Sequence, residues 1–225
     1  MRGFDIKQIP VRSFQISGLT AKWGIGDSRK PPIWDANLIG RWDARTFPDG
    51  ALATIPNTAT MKGKAPDMTV EGATMGKGTL QFDGVSNYAI TGRYGFPERF
   101  TVFWDIDWLG EENKKAGIVQ AGNLYALNQA DKGSLYCWIR QGGTFASIPN
   151  TSVGINSSGR YYSKSGVASN FEGGIGEGAP AGVLYVGCNS SGTVFTQMGF
   201  RQLLIFNKEL SQAEVDDVLR AMFPA

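Results

Sequence analysis

Two aspartates stand one residue apart in the apolar run FTVFWDIDWLG, residues 100–110. If this run is a β-strand, Asp105 and Asp107 project from the same face, about 7 Å apart along the chain. Two such carboxylates could serve a retaining glycosidase, whose nucleophile and general acid stand about 5–5.5 Å apart. They could equally contact a bound ligand or face solvent on an ordinary strand. The alternation predicts that the opposite face is buried and consists of Val102, Trp104, Ile106 and Trp108.

The chain contains no histidine. This composition excludes Ser-His and Cys-His nucleophilic catalysis and removes the commonest transition-metal ligand. Chemistry that needs only carboxylates remains available. Cys137 and Cys188 lie in strand-like runs without C-x-x-C spacing, so they are either two buried thiols or a disulfide.

A second candidate site lies in residues 152–182, which hold eight glycines and show little hydrophobic alternation. The composition predicts a long irregular stretch, and such stretches inside compact domains are often functional. Tyr161 and Tyr162 are its aromatic anchors. Exposed tyrosines there would stack on a sugar ring or a partner surface. The alternative is that they pack this stretch onto the core.

The elements that would position these residues are short strands. From residue 38 onward, runs of branched and aromatic residues alternate with turn residues, in a chain with 30 glycines and 10 prolines. This pattern predicts an all-β fold, a two-sheet antiparallel jelly-roll sandwich. One short C-terminal helix is predicted in SQAEVDDVLRAM, where Ser211 and Glu214 form a capping box. Its apolar stripe consists of Val215, Val218, Leu219 and Met222.

The first 36 residues differ from the rest. They contain six basic and three acidic residues, and DSRKPPIWD is typical of a linker because paired prolines block a helix or a central strand. We predict that residues 1–36 form an N-terminal arm and residues 37–225 the sandwich domain. The arm is expected to pack on its own domain or to attach to a protein partner or to a second copy of the chain.

The N-terminal sequence, the length of the apolar runs and the net charge give three further expectations. The opening MRGFDIKQIPVRSFQ contains no continuous apolar segment, so we expect no signal peptide and synthesis in the cytoplasm. No run of about 18 apolar residues occurs, so no membrane span is expected. The net charge is +2, and basic residues do not cluster, which argues against a nucleic-acid-binding surface.

The segments LQFDGVSNYAITG, FTVFWDIDWL, LYVGCN and FRQLLIFNKELSQAEVDDVL resemble successive signatures of concanavalin A-like and laminin-G-like jelly-roll domains. The closing strand, turn and helix in residues 200–219 are the most specific part. LIGRWDARTFPDGALATIPN resembles the first strand of that family, so the resemblance covers residues 38–225. It implies a lectin-like, carbohydrate-binding domain of a type often displayed on bacteriophage surfaces.

Two departures from the family matter for function. Ser86 and Asn87 stand where many members have a second acidic residue in the FDG turn, so a bound calcium is not supported and Asp83 is interpreted as a turn residue. The related glucanases carry E-x-D-x-(x)-E on their active strand. Asp105 and Asp107 match its first two acidic positions, but the third falls on Leu109 or Gly110. The resemblance therefore implies a domain that binds rather than cleaves.

From these observations we expect a noncatalytic structural or adhesion protein that displays a lectin-like domain. A virion surface component, such as a fibre, decoration or tail protein that binds host glycans, fits this description. The alternatives are a free-standing carbohydrate-binding module and a laminarinase-type glycoside hydrolase. No metal or other cofactor is expected. The candidate ligand-binding residues are Asp105, Asp107, Tyr161 and Tyr162.

Overall fold

The computed structural model consists mainly of short β-strands joined by turns. It describes residues 36–61, 64–93, 97–108, 117–121, 125–129, 134–139, 146–170, 182–189 and 192–224. The predicted arm lies outside these residues except for Ala36, so its attachment role stays a prediction.

The described residues form strands and one α-helix, with a short 3-10 turn at Ala44–Thr46. The helix, α1, spans Gln212–Met222. The strands are β1 Leu38–Asp43, β2 Gly50–Ala51, β3 Thr54–Ile55, β4 Met68–Glu71, β5 Thr74–Gly76, β6 Thr79–Asp83, β7 Tyr88–Thr91, β8 Thr101–Trp108, β9 Gly117–Ala121, β10 Tyr125–Gln129, β11 Ser134–Ile139, β12 Ala146–Pro149, β13 Ser152–Asn156, β14 Arg160–Ser163, β15 Ala168–Asn170, β16 Leu184–Val186 and β17 Gln197–Phe206.

These strands build two antiparallel sheets. The nine-stranded sheet has the order β15-β14-β13-β8-β17-β6-β5-β2, with β1 also paired to β17. The eight-stranded sheet has the order β12-β11-β10-β9-β16-β7-β4-β3. The predicted all-β, two-sheet sandwich with one short C-terminal helix is therefore confirmed.

The main core lies between the sheets, because alternate residues of each strand point inward. The nine-stranded sheet contributes Trp42 and Trp104, two of the largest fully buried side chains. The eight-stranded sheet contributes Met68 and Val186. Among the described strands, β17 is the longest, at ten residues. One of its edges pairs with β8, and the other pairs first with β6 and then with β1.

A second apolar cluster lies on the outer face of the nine-stranded sheet, beneath α1. The predicted capping box is present, since the Ser211 side chain accepts from the Glu214 backbone and the Glu214 side chain accepts from the Ser211 backbone. The predicted stripe of α1 is buried against sheet residues that point away from the main core. This cluster includes Phe103, Tyr162, Leu204, Phe206, Val215, Val218, Leu219 and Met222.

The prediction of a long irregular stretch at residues 152–182 is wrong for its described part. Residues 152–170 form β13, β14 and β15, joined by tight turns. Glycine serves packing here, because a Cβ on Gly154 would lie 2.4 Å from Cδ1 of Phe103. Residues 171–181 lie outside the described residues.

The part of the chain that the structure describes contains no helix with the length and apolar character to cross a membrane.

Candidate functional site

β8 places the two aspartates on the outer face of the nine-stranded sheet. Val102 and Trp104 belong to the main core, and Phe103 belongs to the cluster beneath α1. Asp105 and Asp107 follow Phe103 at every second residue and share its face. The side chain of Asp105 is 9% exposed and that of Asp107 is 45% exposed. The predicted orientation of this strand is confirmed, although the side chain of Trp108 lies outside the described set.

Arg201, on the neighbouring β17, binds both aspartates. Its Nη1 donates to Asp105 Oδ1 at 3.3 Å and to Asp107 Oδ1 at 2.7 Å, and its Nη2 donates to Asp107 Oδ2. The register of β17 against β8 shifts between Phe200 and Gln202, so Arg201 is the extra residue of a β-bulge. The hydrogen bond with Asp107 is the main cause that raises the pKa of Arg201. Two carboxylates therefore share one guanidinium.

A second ionic group, formed by Asp43 and Arg45, connects this face to β17 and to the end of α1. Asp43 Oδ2 accepts from Arg45 Nη2 at 2.7 Å and from Gln202 Nε2 at 3.2 Å. Arg45 Nη1 also donates to the Met222 carbonyl at 3.5 Å, at the end of α1. The hydrogen bond with Asp43 is the main cause that raises the pKa of Arg45, and the charge of Asp105 adds to it. These contacts clamp β1 and α1 beside the aspartates.

A groove of about 620 Å³ opens beside Asp105 and Asp107. It runs between β8, the start of β13 and the turn that joins β14 to β15, and we call it the outer groove. Trp104 is 1% exposed and donates from Nε1 to the Ser152 carbonyl at 3.0 Å, so its ring belongs to the core. The polar residues that line the outer groove are Asp105, Asp107, Asn150, Thr151, Ser152, Ser163, Lys164 and Ser165.

The turn that forms one wall of the outer groove is held by α1. Gln212 Nε2 donates to the Gly166 carbonyl at 3.0 Å and to Asp216 Oδ1 at 2.8 Å. Gly166 has φ +82°, and a Cβ there would lie 2.8 Å from Asp216 Oδ1. Lys164 Nζ lies 4.7 Å from the centre of the Phe223 ring. These contacts fix the position of the wall that carries Ser163, Lys164 and Ser165.

The two predicted tyrosines do not join this groove. Tyr162 is 1% exposed, and its ring centre lies 5.7 Å from that of Phe103 beneath α1. Its hydroxyl accepts from Asn156 Nδ2 at 3.1 Å, and burial raises the pKa of Tyr162. Tyr162 is therefore a core residue, and stacking on a ligand does not fit its position. Tyr161 is half-buried and packs against the main core.

The residues that sequence reasoning missed come from three separate segments. Arg201 meets the aspartates only through the register of β17, which no local pattern reveals. Thr151, Ser163 and Lys164 reach the outer groove because β13 and β14 pair, in a region whose glycines indicated a loop. The one local signal was the polar run SKSG at residues 163–166, which is typical of a tight turn.

Asp83, considered as a metal ligand and interpreted as a turn residue, binds its own turn. Its Oδ1 accepts from the backbone nitrogens of Val85, Ser86 and Asn87 at 2.8, 2.9 and 3.1 Å. Partial burial alone would raise the pKa of Asp83, but these hydrogen bonds hold it below its ordinary value. The interpretation as a turn residue is confirmed. Among the described residues, no group of three or more acidic or cysteine side chains could hold a metal ion.

Cys188 is a free thiol that is fully buried. Burial raises its pKa to about 11, so it is a weak nucleophile at neutral pH. Of the two alternatives for the cysteines, the buried thiol is confirmed for Cys188. The side chain of Cys137 is outside the described set.

No family model matches the chain, and no curated protein matches it in sequence. Solved structures do match its fold. Trypanosoma rangeli sialidase in complex with sialic acid superposes with a TM-score of 0.62 at 12% identity, over 83% of this chain and 33% of that one. The binding domain of botulinum neurotoxin DC in complex with SialylT gives a TM-score of 0.61 at 14% identity, over 85% of this chain and 52% of that one.

A structure of botulinum neurotoxin type C, whose cell entry depends on two ganglioside molecules, gives a TM-score of 0.60 at 13% identity. The chain thus spans about a third to a half of the length of these structures. At such low identity the likeness concerns the fold alone. The comparisons show that the chain has a lectin-like β-sandwich fold.

Proposed function

We propose that the chain is a noncatalytic glycan-binding domain and that the outer groove is its binding site. The observation that carries this proposal is the groove itself, about 620 Å³ of space on the exposed half of a sheet face, with a mixed apolar and polar lining. Ligand sites are typically concave and combine a rigid wall with a few convergent polar groups. Here the walls are two paired strands and a turn clamped by a helix.

The lining suits the hydrogen bonds of a sugar. A sugar hydroxyl both donates and accepts, so it needs acceptors such as carboxylates and donors such as amides, ammonium groups and hydroxyls. Asp107 supplies acceptors, Asn150 supplies donors, and the exposed Thr151 supplies either. Among the described lining residues, Trp104 is the one aromatic residue, and its ring is buried. Recognition here would therefore rely on hydrogen bonds rather than on ring stacking.

The fold comparisons support the same class of function. The sialidase structure contains sialic acid, and the toxin binding domain was solved with SialylT. The same β-sandwich fold therefore occurs in proteins whose solved structures contain sialic acid or SialylT. Function still has to be argued from the site, because one fold hosts many activities.

The geometry of the aspartates supports binding rather than cleavage. A glycosidase needs two carboxyl groups that flank the bond to be cleaved. Asp105 and Asp107 instead both engage the guanidinium of Arg201.

The experiment is a glycan array probed with the full chain and with variants of the outer groove. We expect discrete hits that Asp107→Ala and Thr151→Ala weaken by about tenfold or more, since each removes a direct polar contact. Asp49→Ala and Arg99→Ala are the matched controls, because both residues are exposed and lie away from the groove. A blank array, or hits that the two groove variants leave unchanged, would contradict the proposal.

The assembly role of residues 1–36, in a virion or another particle, is proposed from the sequence alone. If the arm serves attachment, a chain that begins at residue 37 should keep the fold of the sandwich. It should also lose oligomerisation or incorporation, as measured by light scattering or particle reconstitution. Unchanged assembly of the shortened chain would end this part of the proposal.

A further inference from the structure

We infer that the outer groove selects neutral saccharides and disfavours anionic ones. This inference rests on the proposed glycan-binding function and specifies its ligand class. It follows from the charges that the groove presents to a ligand.

The group formed by Asp105, Asp107 and Arg201 carries two carboxylates and one guanidinium. Its net charge is therefore negative by one unit. The side chain of Asp107 is 45% exposed, whereas those of Arg201 and Asp105 are 29% and 9% exposed. Asp107 is thus the most accessible member, and it brings the uncompensated negative charge to the groove.

Arg201 is poorly placed to attract an anion. Its Nη1 donates to both aspartates and its Nη2 to Asp107. An anionic ligand that paired with Arg201 would have to displace these contacts and would leave Asp105, whose side chain is nearly buried, without its cation. Desolvated carboxylates that lose their partner are costly to the fold.

The cation on the opposite wall of the outer groove is Lys164, and its ammonium is directed toward α1. Lys164 Nζ lies 4.7 Å from the centre of the Phe223 ring, a cation–π contact with α1. A second cavity of about 270 Å³ lies on that side, and Asp216 lines it together with Lys164. The ammonium of Lys164 therefore lies over the Phe223 ring, on the α1 side of this wall.

These charges favour the binding of a neutral sugar over that of an anionic sugar. A neutral sugar donates its hydroxyl protons to Asp107, and such charge-assisted hydrogen bonds are strong. A sugar with a carboxylate or sulfate in the same position meets a like charge at close range. The expected penalty for the anionic sugar is a loss of affinity of about tenfold.

The test compares matched pairs of oligosaccharides that differ by one terminal sialic acid. The full chain is titrated with the neutral and the sialylated member of each pair by calorimetry, at low and at high ionic strength. We expect the neutral member to bind about tenfold more tightly at low ionic strength, and the gap to narrow at high ionic strength because salt screens the repulsion.

The variant Asp107→Asn sharpens the test. It keeps the size of the side chain and an oxygen for Arg201 but removes the uncompensated charge, so the preference for the neutral member should shrink by about tenfold. Asp49→Asn is the control, because it makes the same charge change on an exposed residue next to β2, four strands away from β8. It should leave the preference unchanged.

The outcomes separate the two proposals. If the sialylated member binds as tightly as the neutral one or more tightly, the inferred selectivity is overturned and glycan binding stands. If neither member of any pair that spans the common terminal sugars binds, the proposed function itself fails and the inference fails with it.

Discussion

The outer face of the nine-stranded sheet has two halves of opposite character, although β8 and β17 run through both. Beneath α1, this face carries Phe103, Leu204 and Phe206, each at most 1% exposed. Beyond the helix, the same two strands carry Asp105 and Arg201. The change from an apolar to an ionic surface occurs within two residues of β8.

The difference separates a half of the face that stabilises the fold from a half that carries the proposed binding site. The covered half contributes to folding, because α1 buries its apolar stripe there. The open half is ionic, and one guanidinium, that of Arg201, pairs with both of its aspartates. Leaving this half uncovered creates the outer groove, and the turn clamped by α1 forms its wall.

The largest expected effect is at the covered half. Phe103→Ala removes a ring that lies 5.7 Å from Tyr162 and 6.1 Å from Phe206 between ring centres. We expect the free energy of unfolding to fall by about 3–5 kcal/mol, as for other buried aromatic residues, in urea denaturation. Val85→Ala is the control, because Val85 is 71% exposed. A loss below about 1 kcal/mol would show that the cluster beneath α1 is not a second core.

The next effect concerns the open half. Arg201→Ala leaves Asp105, whose side chain is 9% exposed, without its cation. We expect a loss of about 1–2 kcal/mol, less than for a fully buried pair because Arg201 and Asp107 are partly exposed. Adding Asp105→Asn to this variant should restore part of the loss by removing the unpaired charge. Failure of this rescue would mean that Arg201 stabilises the sheet mainly by packing.

A smaller effect should appear on acidification at the start of α1. Burial alone would raise the pKa of Glu214, but hydrogen bonds from Lys208 and Ser211 hold it below its ordinary value. A depressed pKa stabilises the fold above the pKa of the unfolded chain, near 4.5, and this contribution is lost as pH falls through the folded pKa. Glu214→Gln should therefore cost about 0.5–1 kcal/mol at neutral pH.

The cost of Glu214→Gln should vanish in acid, as followed by urea denaturation across pH. Glu71→Gln, at an exposed position of β4, is the control and should follow the wild type at every pH. If the cost of Glu214→Gln is the same at all pH values, the carboxylate charge is not what stabilises this end of the helix.

The smallest effect on stability should be the most specific for binding. Gln212→Ala removes the hydrogen bonds to Gly166 and Asp216 that hold the wall of the outer groove. We expect stability to change by less than about 0.5 kcal/mol and glycan affinity to fall about 2–5-fold. Ala213→Ser, at the next exposed residue of α1, should leave affinity unchanged. Equal affinities for both variants would remove α1 from the binding site.

The strands, the helix and the orientation of β8 could be predicted because each depends on a local pattern. The alternation around Val102 and Trp104 and the capping box of Ser211 are visible in short segments. The site could not be predicted as a whole, because it depends on pairing between distant segments. Arg201 reaches Asp107 across 94 residues of sequence, and its position depends on a bulge.

The sequence left two positions open for the tyrosines, one exposed and one in the core. The glycines around them indicated an irregular stretch, but Gly154 instead leaves room for the ring of Phe103. Tyr162 is accordingly buried beneath α1. A glycine required for close packing and a glycine required for a turn cannot be told apart from one sequence.

The most direct test of the glycan-binding proposal is to map the site on the full chain by NMR, using an oligosaccharide identified on the array. We predict that amide shifts change at Asp107, Thr151 and Lys164 and stay constant in the eight-stranded sheet. Shift changes centred on the eight-stranded sheet, or none at saturating oligosaccharide, would contradict the assignment of the outer groove as the binding site.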